Sequence, residues 1–202
     1  MSVEIPLVSV GVPVYNGEAT VARSLQAIQR QTYPNLEIII GDNASEDDTE
    51  QICRNFAEGE PRCTYLRSEL NRGGPENFSS LFRRSTGDYF IWVSDDDLLD
   101  ERYIEHGVKF LESNPEVVLA APSVRGISPD SKDPFYSIDT TALGREVQGI
   151  SRLARSYTRL STIGIYGLFR SSAVKRSALI KPLIGSDTSF MQEIALLGPI
   201  ET

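Results

Sequence analysis

Short apolar runs alternate with segments of helical spacing through the first 120 residues. Residues 7–12 are almost wholly apolar and read as a buried strand, ended by Pro13 and the turn signal Asn16-Gly17. From 18 to 30, Val21, Leu25 and Ile28 recur at helical spacing. Residues 36–41 form a second buried run, closing on Asp42, and a helix is expected over 47–57 from the caps Ser45 and Asp47. Residues 63–66 read as a third strand, 76–84 as a helix, 89–93 as a fourth strand, 101–112 as a helix and 117–120 as a further strand. Strands alternating with helices of about ten residues predict an α/β fold, a mostly parallel sheet covered on both faces.

Beyond Ala121 the pattern weakens. Residues 122–149 are rich in Ser, Pro, Asp and Gly and read as a long loop or irregular excursion. A helix is expected near 150–160, a strand within 163–169, and a last helix from Ser186 or Asp187 to Leu197. The chain thus divides into a part at 1–121 and a smaller part at 122–202.

Ligands in parallel sheets bind beyond the carboxyl ends of the strands. Polar groups gather there: Pro13 to Asn16 after the first strand, Asp42-Asn43 after the second, and Asp95-Asp96-Asp97 after the fourth. Three adjacent carboxylates repel one another unless a cation lies among them. Their hard oxygens suit Mg²⁺ or Mn²⁺, which commonly takes one or two carboxylates together with substrate phosphates. A solvated acidic turn is the alternative for such a triplet taken alone.

Composition narrows the classes. With 202 residues and a formal net charge of −8, the chain can build a sizeable core and does not suit broad binding to nucleic acid. Cys53 and Cys63 fit reduced thiols of a cytoplasmic protein better than a zinc site or a disulfide framework. No apolar run is long enough to span a bilayer, so any membrane association is expected to be peripheral, at the inner face.

The segments Val12-Pro13-Val14-Tyr15-Asn16-Gly17-Glu18, Asp42-Asn43-Ala44-Ser45 and Gly87 to Asp97 occur in the order, and at the strand ends, of the family-2 glycosyltransferases. The chain resembles the nucleotide-sugar-binding half of these enzymes, firmly over 8–99 and loosely to 198. The resemblance implies the GT-A (Rossmann-like) fold and transfer of a sugar, with inversion, from a nucleoside diphosphate sugar to an acceptor. UDP-sugars are the favoured donors, a glycan, lipid-linked or protein acceptor is implied, and polysaccharide or cell-envelope glycan synthesis is the expected setting.

The same resemblance implies roles for single residues. Pro13, Tyr15, Asn16 and Glu18 fall on the donor side, with the Tyr15 ring available to a nucleobase. Asp42 matches the aspartate that accepts a base N–H, with Asn43 beside it; its bland alternative is a cap or Asx turn. Asn71-Arg72-Gly73-Gly74 and Asn77 pass near the donor, Arg72 reaching for phosphate with Arg67 as a competing candidate. The triplet matches the DXD-type motif, with Ser94 where many members carry aspartate. An extended chain puts Asp95 and Asp97 on one face, whereas a turn at Ser94 makes Asp96 the metal ligand. Asp97 and Asp96 are the favoured ligands, leaving Asp95 to the sugar or ribose hydroxyls.

Asp187, opening the last helix, matches the catalytic base; its structural alternative is a helix-start carboxylate, and Glu193 is a second choice. His106 reads as a surface or packing residue and Trp92 as core. Members of the family often continue past the region where this chain stops, so it reads as a truncated domain. Two other classes compete. A sugar nucleotidyltransferase needs a glycine-rich loop with Arg and Lys after the first strand, and 13–17 lacks it. A non-catalytic nucleotide-sugar-binding module would release no nucleotide from its donor.

Overall fold

Apolar residues alternate sides along the central strands, so one sheet serves two cores. In the computed structural model, which describes residues 5–128, 131–139, 151–152 and 162–201, β4 (Tyr89–Trp92) is buried at every position. Tyr89 and Ile91 face one core with Val10, Val12, Ile38 and Ile40, under the helices α1 (Val21–Gln29), α2 (Thr49–Gly59) and α4 (Tyr103–Ser113). Phe90 and Trp92 face the other with Ile39 and Leu81, against α3 (Gly74–Arg84) and a helix near the C-terminus. This two-sided burial explains why the strands read as continuous apolar runs.

The seven-stranded sheet has the order β3-β2-β1-β4-β8-β5-β9. The strands β1 (Val8–Val14), β2 (Leu36–Asp42), β3 (Cys63–Arg67) and β4 run parallel. Between β4 and β5 (Leu119–Ala120) lies β8 (Leu168–Arg170), antiparallel to both, and β9 (Ile200–Glu201) closes the far edge parallel to β5. The short α5 (Ser171–Val174) follows β8, and α6 (Ser186–Leu197) packs in the second core through Phe190, Met191 and Ile194.

Several expectations are corrected. Pro13 does not end the first strand, which continues to Val14. Gly11 accepts Val93 N–H from β4, while Val14 accepts Asn43 N–H beyond β2, so successive residues face alternate neighbours. Pro13 therefore faces β4, whose pairing with β1 stops at Gly11, and its missing N–H costs no ladder bond. Ser45 does not cap α2: its hydroxyl accepts Asn16 N–H at 2.9 Å, and Asp47 accepts Thr49 N–H at 3.1 Å at the helix start.

The stretch after Ala121 is not wholly irregular, since β6 (Ser123–Ser128) and β7 (Ser131–Asp139) pair as a separate antiparallel ribbon. The strand expected within 163–169 is split into a 3₁₀ turn, Thr162–Tyr166, and β8. The helix expected near 150–160 lies outside the described residues except for Ser151 and Arg152. Cys53 and Cys63 are free, and burial pushes both thiols up to about 12. His106 is exposed, and no helix among the described residues is long and apolar enough to cross a membrane.

One half-buried ion pair beyond α2 gives a test of acid stability. Glu60 accepts from Arg62 Nε and Nη2, each at 2.8 Å, and these bonds hold its carboxyl down at about 2 from an ordinary 4.5. A depressed folded-state value means the unfolded chain takes up the proton first. The stabilisation is therefore complete above pH 4.5 and is lost as pH falls toward 2. Glu60→Gln should flatten the acid limb of a urea-unfolding profile over that window, and an unchanged slope would rule the pair out as its source.

Candidate active site at the strand ends

The β1–α1 and β2–α2 loops clasp each other. Asn16 takes a left-handed conformation (φ 52°), tolerated by asparagine, and its Oδ1 accepts Glu46 N–H at 2.8 Å. Glu18 N–H donates to Asp47 at 3.1 Å, and Asp48 N–H returns a bond to Glu18 at 3.0 Å. Gly17 N–H donates to the Thr49 hydroxyl at 2.8 Å. Asn16 and Glu18 thus bind the neighbouring loop and shape the rim beside Tyr15, a residue 44% exposed.

Asp42 ends β2 with its side chain wholly buried. Its Oδ1 accepts Ser45 N–H at 2.8 Å, while Oδ2 accepts the Tyr65 hydroxyl at 2.7 Å and Arg67 Nη1 at 2.9 Å. Burial works against its charge, but the bonds from Ser45, Tyr65 and Arg67 outweigh it and keep the carboxyl below the usual range. Asn43 is buried too. Its Nδ2 donates to Asn71 Oδ1 and its Oδ1 accepts Arg72 N–H, pinning the loop before α3. Asn77 donates from Nδ2 to the Gly41 carbonyl at 2.8 Å, holding α3 on β2. Asn43, Arg67, Arg72 and Asn77 line a groove of about 550 Å³ between α3 and the end of β3.

The acidic triplet follows a chain that turns at Ser94, whose carbonyl accepts Asp97 N–H at 3.3 Å. Simple strand alternation does not apply there. The Ser94 hydroxyl donates to Asp96 Oδ1 at 2.5 Å, and the Asp95 carbonyl accepts Ser24 Oγ of α1. Asp95 lies so close over Gly17 that a Cβ there would meet its carboxylate and the Val14 side chain, which would have to shift. Burial first, and then the Asp96 charge, raise the Asp95 and Asp97 carboxyls above their ordinary value.

Among the described residues no three His, Cys, Asp or Glu side chains converge as a ready metal-ligand group. An oxygen-only donor set with surplus negative charge fits a hard cation that takes one or two carboxylates and completes its shell elsewhere. Asp96 and Asp97 stand together on the turn after Ser94 as candidate oxygen donors.

Asp187 stands in the first turn of α6, half-buried, where its Oδ1 accepts Thr188 N–H at 2.8 Å. Glu193 is committed elsewhere, accepting Ala178 N–H at 2.7 Å and pairing with Lys181 at 3.6 Å. Sequence reasoning missed Tyr166. It closes the 3₁₀ turn that packs between β4 and α6, and Tyr103 donates to its carbonyl at 3.4 Å. Burial raises its hydroxyl, and the charges of Asp97, Asp96 and Asp187 add to the effect while a hydrogen bond with Ser94 opposes it. That turn therefore links β4, which leads into the triplet, with α6, which carries Asp187, although some ninety residues separate those acids in sequence. No periodicity or motif pointed to Tyr166; its Gly164 and Gly167 flanks, spaced for close backbone approach, were the one available hint.

Residues 9–176 match the family described as glycosyl transferase family 2. The chain belongs to that family. An uncharacterized glycosyltransferase of Rickettsia typhi is 34% identical over 116 residues, covering 56% of this chain and 35% of that protein. The chain therefore spans about a third of that relative's length. The fold matches a mannosyltransferase of Pyrobaculum calidifontis in complex with GDP-Man and Mn²⁺, at a TM-score of 0.72 and 22% identity, over 98% of this chain and 55% of the other. TarS 1-349 of S. aureus in complex with UDP-GlcNAc gives a TM-score of 0.70 and 21% identity, over 96% and 54%. For this glycosyl transferase family 2 chain, those likenesses establish the GT-A architecture expected from sequence.

Proposed function

We propose that the chain is the donor-binding and catalytic portion of a metal-dependent, inverting glycosyltransferase that uses a nucleoside diphosphate sugar. The observation that carries this reading is that, in a chain of family 2, the Thr162–Tyr166 turn packs against both β4, which leads into the acidic triplet, and α6, whose first turn holds Asp187. The donor lies along the rim formed by Pro13, Tyr15, Asn16 and Glu18, beside the Asn43–Arg72–Asn77 groove. Its diphosphate approaches Asp96 and Asp97, and Asp95 faces the ribose or sugar hydroxyls. A divalent cation, Mn²⁺ or Mg²⁺, supplies counter-charge for the leaving diphosphate when bound there. Asp187 takes the proton of the acceptor hydroxyl as its oxygen attacks the anomeric carbon from the face opposite the leaving group. The C–O bond to acceptor forms as the bond to diphosphate breaks, so no covalent enzyme intermediate is required.

UDP-sugars are the favoured donors, a glycan, lipid-linked or protein molecule the acceptor, and polysaccharide or cell-envelope glycan synthesis the setting. The protein works in the cytoplasm, peripherally at the inner membrane face. A thermal-shift panel of nucleotides and nucleotide sugars, with and without Mn²⁺, tests donor binding. At a hundredfold excess over Kd a true donor adds about 2.7 kcal/mol of stability. Slow, Mn²⁺-dependent release of nucleoside diphosphate without acceptor supports a transferase over a binding module. A panel in which no nucleotide moves the melting curve, with no donor hydrolysed, overturns the reading.

A further inference from the structure

Among the described residues seven large apolar side chains stand in solvent, and they are not spread evenly. Tyr15 is taken up by the donor reading above. Of the other six, Leu70, Leu98, Leu183 and Ile184 lie at the carboxyl edge of the parallel strands, whereas Ile5 and Leu196 lie toward the opposite edge. Leu70 follows β3, Leu98 follows the acidic triplet, and Leu183-Ile184 precede the first turn of α6, just ahead of Asp187. Three separate loops thus bring aliphatic side chains to the edge that also carries the acids.

Each of these loops is pinned. Beside Leu70, Ser68 N–H donates to the Asp42 carbonyl at 2.8 Å, and Asn71 Oδ1 accepts Asn43 Nδ2 and Gly73 N–H, each at 2.8 Å. Leu98 points out while its neighbour Leu99 packs against the core beneath α1 and α4. Before Leu183, Ile180 is buried with its carbonyl on Ser79 Oγ at 2.9 Å, and Glu193 holds Ala178 N–H at 2.7 Å and Lys181 at 3.6 Å. Left-handed Leu179 (φ 59°) and Gly185 (φ 73°) bracket the segment, and a leucine takes that backbone only where its surroundings impose it. Held in this way, Leu183 is 62% exposed and Ile184 wholly so.

Exposed apolar side chains gathered at one place mark a surface that meets something apolar. Two features single out a lipid surface. Protein interfaces concentrate their energy in central Trp, Tyr and Arg anchors, with Leu under-represented, whereas these Leu and Ile side chains are dispersed over three loops. A fluid apolar phase accepts separate side chains wherever they enter it. The carboxylates on the same edge, in a chain of formal net charge −8, make attraction to anionic headgroups the wrong driving force.

We infer that this edge docks on a lipid surface, with Leu70, Leu98, Leu183 and Ile184 entering the boundary between headgroups and acyl chains. Docking would turn the acidic opening toward the headgroups, where a lipid-linked acceptor presents its hydroxyl. The inference rests on the transferase reading above for that purpose, and goes beyond it in naming the surface that meets the membrane.

Flotation of the full chain with neutral phosphatidylcholine vesicles tests it, in low salt and in about 1 M salt, where the Debye length is about 3 Å. The wild-type chain should float with the vesicles equally in both. Fully burying one Leu or Ile changes partitioning by about tenfold or more, so Leu183→Ser and Ile184→Ser together should lower flotation at least that much. Leu70→Ser and Leu98→Ser, if half as deeply buried, should each lower it about threefold. Leu196→Ser, exposed toward the opposite edge, should change nothing, and circular dichroism checks that every variant folds. No flotation by the wild-type chain, flotation lost in high salt, or an equal loss in Leu196→Ser overturns the inference. A dimer in sedimentation that the double variant disperses overturns it too, and assigns the edge to a second copy. Nucleotide-induced thermal shifts in a chain that does not float leave the donor reading standing, whereas flotation without any such shift overturns only that reading.

Discussion

Asp187→Asn should lower turnover by about 10² to 10⁴-fold, the range a positioned general base contributes. The amide keeps the size of the side chain and its bond from Thr188 N–H, so the start of α6 stays intact. What is lost is the capacity to take the acceptor proton. Donor affinity should therefore change little, because the rim around Tyr15 and Asn43 lies on other elements. Steady-state kinetics with donor and acceptor varied separately, alongside calorimetric donor binding, separates the outcomes. A parallel loss of donor affinity and rate would make Asp187 a binding or structural residue. Slow hydrolysis of the donor by water should fall as well, since water also gives up a proton there.

Trp92→Ala should cost about 3–5 kcal/mol of stability, the usual penalty for truncating a buried Trp or Phe. Trp92 is wholly buried and contacts Phe90, Phe169 and Phe190 edge to face, with centroids 4.6, 5.6 and 5.5 Å away. Its indole N–H donates to the Phe78 carbonyl at 2.9 Å, a bond the variant lacks. The functional effect should exceed a uniform loss of folded protein. Trp92 ends the strand that leads into the acidic triplet, and Phe190 belongs to the helix that carries Asp187. Removing the ring between them loosens the spacing of the two acidic groups. Urea unfolding followed by far-UV circular dichroism measures the first effect. Turnover per folded molecule at low temperature measures the second, and an unchanged value would show that the spacing is set elsewhere.

The parallel half of the sheet was legible because its strands are apolar on both faces and its helices have one apolar side. Residues 36–41 and 89–93 were recognisable from that alone, and acids follow both of them at the carboxyl ends of the strands. What was not legible came from contacts between distant segments. The side-chain partners of Asp42, Tyr65 and Arg67, lie on another strand about 25 residues away and carry no sequence mark. The 123–139 ribbon is held by cross-strand backbone pairing, which its Ser- and Pro-rich composition does not advertise. The run 163–169 looked like one strand, yet Gly164 fits under Met191 and Gly167 against the Ala120 carbonyl, so only its second half pairs in the sheet. Helix α3 starts two residues earlier than expected because Pro75 suits a first helical turn, where a missing N–H is no loss.

The clasp between the two front loops bears on how this chain can change. Asn16 and Glu18 on one side, and Ser45, Asp47 and Thr49 on the other, each satisfy a backbone group across the divide. A chimera that imports only residues 15–19 from another enzyme would leave those N–H groups unmatched. Donor preference should therefore transfer between relatives only when both segments are exchanged together, as one inherited block.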